Sequence, residues 1–354
     1  MKFNSADKTK FDLVSLGEVM LRLDPGDGRI RTAREFKVWE GGGEYNVARG
    51  LRKCFGMRTA IATSLVDNEV GRLVEDLILT GGVSTEFIHW VEFDQVGRAA
   101  RNGLNFTERG FGLRGGVGIS DRGHTAVSQL KPGMINWQQI FGEFGVRVFH
   151  TGGIFARLSE TTPEVILEAM QIAKQHNVVI SYDFNYRPSL WAGLGGKAKA
   201  QEISKQIAPF VNIMIGGVDD FTQSLGIELP AATFETMVPE VVTQYPDIEV
   251  VATTKRDLKS ASQNNYSAIG WSKETGFVSS TLDLEVEVLD RVGAGDSFVS
   301  GLIYCLLAEK PLGVALDYGV AHGALTMTTP GDNSMATISD VEAVITGGSA
   351  ALKR

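Results

Sequence analysis

The chain has 354 residues, 43% of them hydrophobic, with a formal net charge of −8 and two cysteines. That length and apolar content suffice for a large buried core, in one big α/β domain or two smaller ones, and exclude a disordered chain. The negative charge argues against nucleic acid or an anionic membrane surface as the main partner. No apolar run approaches the ~20 residues of a membrane span. Cys54 and Cys305 lie on apolar helical faces without disulfide or metal spacing and read as core fillers. Residues 1–10 are polar and lack a secretory core, so a reducing, cytoplasmic setting is expected.

In chain order, a buried strand is expected over 11–17, and 18–25 stays extended with its alternation fading at Pro25. A Gly- and Arg-rich loop returns through 35–39. Gly41-Gly42-Gly43-Glu44-Tyr45-Asn46-Val47-Ala48 then opens a helix whose apolar face is Val47, Leu51, Cys54 and Phe55. Glycines at such a junction let the backbone approach a ligand, although a plain helix start explains the same residues. Strand 59–65, helix 69–80 and strand 87–93 form a βαβ pattern and imply a parallel sheet. Residues 102–128 break that rhythm. Their Gly110-Phe111-Gly112-Leu113-Arg114-Gly115 matches the dinucleotide fingerprint, but no buried strand precedes it and no periodic helix follows, so that site is excluded. The stretch reads instead as a β-rich excursion from the main sheet.

After a strand at 146–151, Thr162, Pro163 and Glu164 supply an N-cap, a first-position proline and a first-turn acid for a helix to about 176. The strand at 178–184 runs into Asp183-Phe184-Asn185-Tyr186-Arg187-Pro188-Ser189-Leu190-Trp191. Charged and aromatic groups just past the carboxyl end of a buried strand lie where open α/β sheets bind ligands. The alternative for Arg187 is stacking on Trp191 at the surface. A strand at 211–217, a short helix at 219–225 and a strand at 248–254 follow, the last entering Thr254-Lys255-Arg256. Beyond them a helix spans 311–327, Pro330-Gly331-Asp332-Asn333 is a turn, and a helix at 340–345 closes the chain. Gly196-Lys197 lacks Walker spacing, which excludes a P-loop, and the five histidines show neither triad nor metal spacing.

The organising stretch is Asp290-Arg291-Val292-Gly293-Ala294-Gly295-Asp296-Ser297-Phe298. It lies between a β-rich run, 284–289, and a helix expected over 297–310 with Phe298, Leu302, Cys305 and Leu306 on one face. Gly293 and Gly295 allow a sharp turn that aims successive N–H groups at one spot, where the positive end of the helix dipole adds to them. That spot suits an anion. Asp296 places a carboxylate beside it, which a bare anion site does not need, so a base next to a cradle for phosphoryl charge is indicated. A helix cap explains Asp296 alone and leaves the other residues unexplained.

Asp290 to Phe298 resembles the C-terminal signature of the ribokinase-like (phosphofructokinase B) sugar kinases, and the resemblance extends over nearly the whole chain. It implies that Asp296 deprotonates the sugar hydroxyl and that the amides of Gly293, Ala294 and Gly295 hold the transferring charge. By the same match Gly42 and Asn46 face the sugar. Asp183 to Trp191 resembles a segment of the 2-keto-3-deoxygluconate kinase branch, whose Arg, here Arg187, holds a substrate carboxylate. Arg122, in Ser120-Asp121-Arg122-Gly123-His124-Thr125-Ala126, aligns with that branch's lid Arg. The family's Asn and acid near magnesium fall on Gly217 and Asp220, so only Asp220 carries over as a metal residue. Thr254 and Lys255 resemble its nucleotide-edge segment, with Asp257 in place of a Gly, and Asn333 lies near the expected adenine position.

The sequence therefore implies one ribokinase-like α/β domain over 1–354, with a mostly parallel central sheet flanked by helices. A small β lid is expected from about 18–40 and 94–128, its outer face a homodimer contact. The expected activity is ATP- and Mg2+-dependent phosphorylation of a sugar acid, 2-keto-3-deoxygluconate to its 6-phosphate; the need for K+ stays open. The rival readings are a fructokinase or ribokinase-type kinase, and a sugar-binding regulatory protein that has lost catalysis.

Overall fold

Apolar residues alternating along successive strands build one sheet with a core on each face. The structure, a computed structural model, describes residues 1–193 and 195–348; the end of the expected 1–354 domain, 349–354, lies outside the described residues. Its strands are β1 (Phe11–Leu16), β2 (Met20–Asp24), β3 (Lys37–Gly41), β4 (Thr59–Asp67), β5 (Ser84–Glu92), β6 (Leu104–Glu108), β7 (Val117–Asp121), β8 (Val146–Gly152), β9 (Val179–Asp183), β10 (Ile213–Ile215), β11 (Val250–Leu258), β12 (Gln263–Ser272), β13 (Gly276–Ser279) and β14 (Leu284–Glu287). The helices are α1 (Gly43–Phe55), α2 (Glu69–Thr80), α3 (Thr162–Gln175), α4 (Pro188–Trp191), α5 (Gly196–Ile207), α6 (Val218–Asp220), α7 (Phe234–Gln244), α8 (Ala294–Leu307), α9 (Leu312–Thr326) and α10 (Ile338–Ile345).

The large sheet runs β13-β12-β11-β10-β9-β8-β1-β4-β5, with β14 on β12. The strands from β11 to β5 pair in parallel, whereas β12, β13 and β14 add antiparallel pairs at one edge. Val14, Phe149, Ile180, Met214 and Val251 point to one core, packed with residues of α3, α5 and α7. Leu13, Val148, Val179, Ile213 and Val250, their immediate chain neighbours, point to the other, packed with α1, α8 and α9. Strands covered on both faces are the mark of a helix-flanked parallel sheet. The ribokinase-like α/β fold expected from the sequence is therefore present.

A second, four-stranded sheet, β3-β2-β6-β7, joins the chain around residue 20 to the stretch after residue 100 through a parallel β2–β6 pair. The Gly-rich 110–115 segment is the tip between β6 and β7. Gly112 there accepts from the Ala261 amide, at 3.0 Å, and donates to Ser262 Oγ, at 2.8 Å, so the tip rests on the β11–β12 turn.

Several expected boundaries move. Thr161, not Thr162, flanks α3, and Pro163 falls inside its first turn. β11 continues to Leu258 because β12 pairs with it throughout, so its polar second half is strand rather than loop. α8 begins at Ala294 rather than Ser297, because Gly293 adopts φ +78°, a left-handed conformation open to glycine, and turns the chain straight into the helix.

The two sheets are joined by one buried ion cluster. Arg22 of β2, with no solvent access, holds Asp332 through Nη1 at 2.5 Å and Asp24 through Nη2 at 3.2 Å, and Nη2 also pairs with Asp290. Asp290 further accepts from the amides of Val292 and Gly331, at 3.2 and 3.3 Å. A buried cation that balances several carboxylates is costly to remove, since it strands them unpaired in a poor dielectric. Arg22→Met should thus lower unfolding stability by about 3–5 kcal/mol in urea titration, with part regained by adding Asp332→Asn. A loss below about 1 kcal/mol would show that the cluster does not hold the sheets together.

Candidate active site

The carboxyl ends of β8, β9, β10 and β11 open onto a cleft of about 510 Å3, whose remaining walls come from β2, α1, Asn105 of the small sheet, Arg122 just past β7, and the start of α8. Open α/β sheets bind ligands at this end of their strands. Gly42, Asn46, Arg122, Arg187, Asp220, Thr254, Gly293, Gly295 and Asp296 all line it. Those positions, scattered from residue 42 to residue 296, are brought together by the fold.

Gly293 is the N-cap of α8, so Ala294, Gly295 and Asp296 form its first turn, and the first helical bond is Ser297 N to the Gly293 carbonyl at 2.9 Å. The amides of that turn have no acceptor within the helix and stay available to an anion. A Cβ at Gly293 would overlap the Asp332 carbonyl. Ala294 is buried and contributes backbone only; its carbonyl accepts from the Tyr266 hydroxyl at 3.2 Å.

Asp296 lies on the cleft floor, held by Asn46, whose Nδ2 donates to Oδ2 at 2.7 Å. Asn46 Oδ1 in turn accepts from the Gly42 amide at 3.3 Å. Asn46 is therefore committed to the carboxylate rather than turned wholly to a sugar. Gly42 is glycine for a packing reason, because a Cβ there would overlap the Glu18 carbonyl. Its neighbour Gly43, which the sequence did not single out, faces the site: a Cβ there would sit 3.7 Å from Asp296 Oδ1. Desolvation pushes the Asp296 carboxyl up to about 6; the Asn46 hydrogen bond opposes this, Asp332 adds to it, and Arg187 and Arg256 oppose it.

Three more acids crowd this floor. Burial raises Asp183 well above the carboxylate range, and Asp220 and Asp296 add to the effect. Glu44 is pushed up to about 7 by burial. Asp220 is raised by burial, although its oxygens accept the amides of Gly217 and Tyr186 at 2.9 and 3.1 Å. Asp220 thereby shapes the loop that carries Arg187, a duty invisible in its spacing.

Arg187 reaches the cleft without an ion pair to any described residue. Trp191 is instead covered by Tyr186, stacked at 6.4 Å, and by Arg157, 5.1 Å from its ring centroid, so Arg187 does not stack there. Arg122 stands 3.5 Å from the buried carboxylate of Glu18, a partner the sequence did not reveal.

Two expected nucleotide residues fall elsewhere. Lys255 is exposed and absent from the cleft, because alternation along β11 turns Thr254 and Arg256 to one face and Lys255 to the other. Arg256 occupies the wall where Lys255 was expected. Asn333 is buried with its amide donating to the Glu40 carbonyl at 2.8 Å, and Asp332 lines the cleft instead.

Asp296 has a folded-state pKa near 6 against an ordinary 3.8, so folding favours its protonated form. That advantage is complete below the ordinary value and is lost as pH rises through 6. Asp296→Asn should accordingly stabilise the ligand-free protein at pH 8, by roughly 1–2 kcal/mol once the face open to the cleft is discounted, and by about a third of that at pH 4.5. Thermal melts at both pH values check this; equal effects at the two would contradict it.

Comparison with known proteins accords with this geometry. The chain is similar to a 2-dehydro-3-deoxygalactonokinase of Haloferax volcanii, 30% identical over 344 residues that cover 97% of this chain and 99% of that one. It is similar to fructokinase-2 of Solanum habrochaites, 28% identical over 95% of this chain and 96% of that one. Among solved structures, 2-dehydro-3-deoxygluconokinase of Thermotoga maritima superposes with a TM-score of 0.86 at 30% identity, covering 95% of this chain and 98% of that one. Residues 10–338 match the pfkB family carbohydrate kinases, and with the helix-start cradle and buried acid in place, the chain belongs to that family of ATP-dependent sugar kinases.

Proposed function

We propose that this kinase transfers the ATP γ-phosphoryl group to a hydroxyl of a 2-keto-3-deoxy sugar acid, 2-keto-3-deoxygluconate giving its 6-phosphate. The observation that carries the choice is Arg187, a cleft guanidinium that acts through space on Asp183, Asp220 and Asp296 but has no described carboxylate within ion-pair distance, joined by Arg122. A planar guanidinium grips a carboxylate with two parallel donors, and a neutral hexose offers it no such partner. The names of the Haloferax and Thermotoga relatives favour the same substrate class.

In this reading the hydroxyl oxygen attacks the γ-phosphorus, the bond to the β–γ bridging oxygen breaks, and the hydroxyl proton passes to Asp296. Asn46 orients the acceptor oxygen, and the amides of the first α8 turn, including Ala294 and Gly295, receive charge that builds on the phosphoryl oxygens. Positioning supplies much of the rate when bond breaking leads and the proton leaves late. Among the described residues no cluster of three or more His, Cys, Asp or Glu is arranged to hold a metal. That suits Mg2+, which usually keeps several waters and takes one or two carboxylates plus substrate phosphates. Asp220, on the cleft wall, is the residue we assign to its hydration shell. Held there, Mg2+ would supply positive charge against the phosphates. We assign no residue to K+.

We further propose that the small sheet, together with its flanking segments over 18–40 and 94–128, serves as a lid over the sugar. Its β7 strand is exposed along its whole length, with Val117 and Ile119 outward, and Val38 of β3 is exposed as well. Exposed apolar strand faces favour pairing with a second copy. Light scattering at assay concentration should give twice the chain mass, and a single-chain mass would remove the dimer.

The substrate proposal is tested by kcat/KM for 2-keto-3-deoxygluconate, its galactonate epimer and fructose. The sugar acids should be the better substrates. Arg187→Ala should raise their KM by roughly 30-fold or more, the cost of an unpaired buried carboxylate, and leave fructose almost unchanged. Fructose as the best wild-type substrate, or equal harm to all three, would turn the assignment to a fructokinase. Because the acceptor must be unprotonated, kcat/KM should fall about tenfold per pH unit below 6, and a profile flat to pH 5 would contradict the buried-acid account.

A further inference from the structure

Arg256 is a cleft cation without a described role. It lies on β11 two residues beyond Thr254, lines the cleft while remaining exposed, and acts on Asp296 through space, with no described carboxylate within ion-pair distance. Its guanidinium carbon stands 5.6 Å from the Tyr266 ring centroid. Tyr266 is fully buried and its hydroxyl is tied to the Ala294 carbonyl, so the platform beneath Arg256 is fixed to the α8 start. A Cβ placed on Gly295 would lie 3.4 Å from Arg256 Nη2.

A cation beside the N-terminal turn of a 14-residue helix meets the positive end of its dipole. That juxtaposition is unfavourable by itself and becomes favourable when an anion lies between amides and guanidinium. The acid of that turn, Asp296, has its carboxylate already held by Asn46. The anion that fits is one with several peripheral oxygens, able to take amides on one side and a planar two-pronged donor on the other. Gly295 immediately precedes Asp296, so an anion gripped there adjoins the hydroxyl that Asp296 deprotonates. In an in-line transfer only the phosphoryl group under attack occupies that place.

We propose that Arg256 is a catalytic residue that grips the transferring phosphoryl group together with the first-turn amides of α8, an assignment that rests on the kinase reading of Asp296. The α- and β-phosphates lie farther from the acceptor hydroxyl, so the contact is lost with the γ-phosphate.

Calorimetric titration with Mg2+ and either a non-hydrolysable ATP analogue or ADP, on the wild type, Arg256→Ala and Arg256→Lys, tests this without turnover. Arg256→Ala should weaken the analogue by about tenfold or more and ADP by less than about twofold, and should lower kcat by roughly 10²-fold. Arg256→Lys, which keeps the charge but not the fork, should recover part of both. Equal weakening of analogue and ADP, or no weakening of either, overturns the assignment. The two proposals fail separately. Phosphorylation of sugar acids by a wild type whose Arg256→Ala variant does not discriminate the nucleotides removes Arg256 alone. Nucleotide discrimination as expected, without phosphorylation of any sugar acid, removes the substrate reading and leaves the Arg256 contact standing. A wild type that binds neither nucleotide removes both.

Discussion

The arrangement depends on keeping a carboxylate at the positive end of a buried helix without letting its surroundings neutralise it. Burial alone drives Asp296 toward its protonated form, and Asp332 adds to the effect. The Asn46 hydrogen bond and the cleft arginines pull the other way, leaving it titrating near 6, below the working pH of most enzymes yet basic enough to accept a proton. Each partner comes from a distant part of the chain: Asn46 from α1, Arg187 from the loop after β9, Arg256 from β11. The fold brings these groups to one point because the parallel strands all present their carboxyl ends to the same side.

The loop that carries Asp296 is itself held from outside. Asp290 begins it and Asp332 packs against it, and both carboxylates are joined through Arg22 of the small sheet. Catalytic loop and small sheet therefore share one buried cation. Any movement of that sheet that shifts β2 is transmitted to the Gly293 turn, where a carbonyl of the Asp332 segment already fills the space a side chain would need. If the small sheet serves as the proposed lid, this contact would link substrate enclosure to the geometry of the cradle.

Much of this was legible in the sequence, where local chemistry is self-sufficient. Gly293, Gly295 and Asp296 signal a turn, an anion cradle and an acid within four residues, and burial on both faces marks the parallel strands. What stayed hidden depends on partners distant in the chain. The second half of β11 is polar, so nothing local declares it a strand; β12 makes it one, and that pairing sends Arg256 rather than Lys255 into the cleft. Glu18 beside Arg122, and Glu40 beside Asn333, are contacts that no spacing predicts. No expectation covers α5 or α7, although Ala200, Ile203, Ser204 and Ile207 of α5 are buried at helical spacing.

Acceptance of the hydroxyl proton by Asp296 is tested most directly by turnover of Asp296→Asn with both substrates shown to bind. The kcat with 2-keto-3-deoxygluconate should fall by about 10²-fold or more. The affinity for nucleotide should stay within about threefold, because the amide cradle and Arg256 remain. A variant that binds both substrates and turns over near the wild-type rate would make Asp296 a helix cap, and the proton acceptor would have to be sought elsewhere.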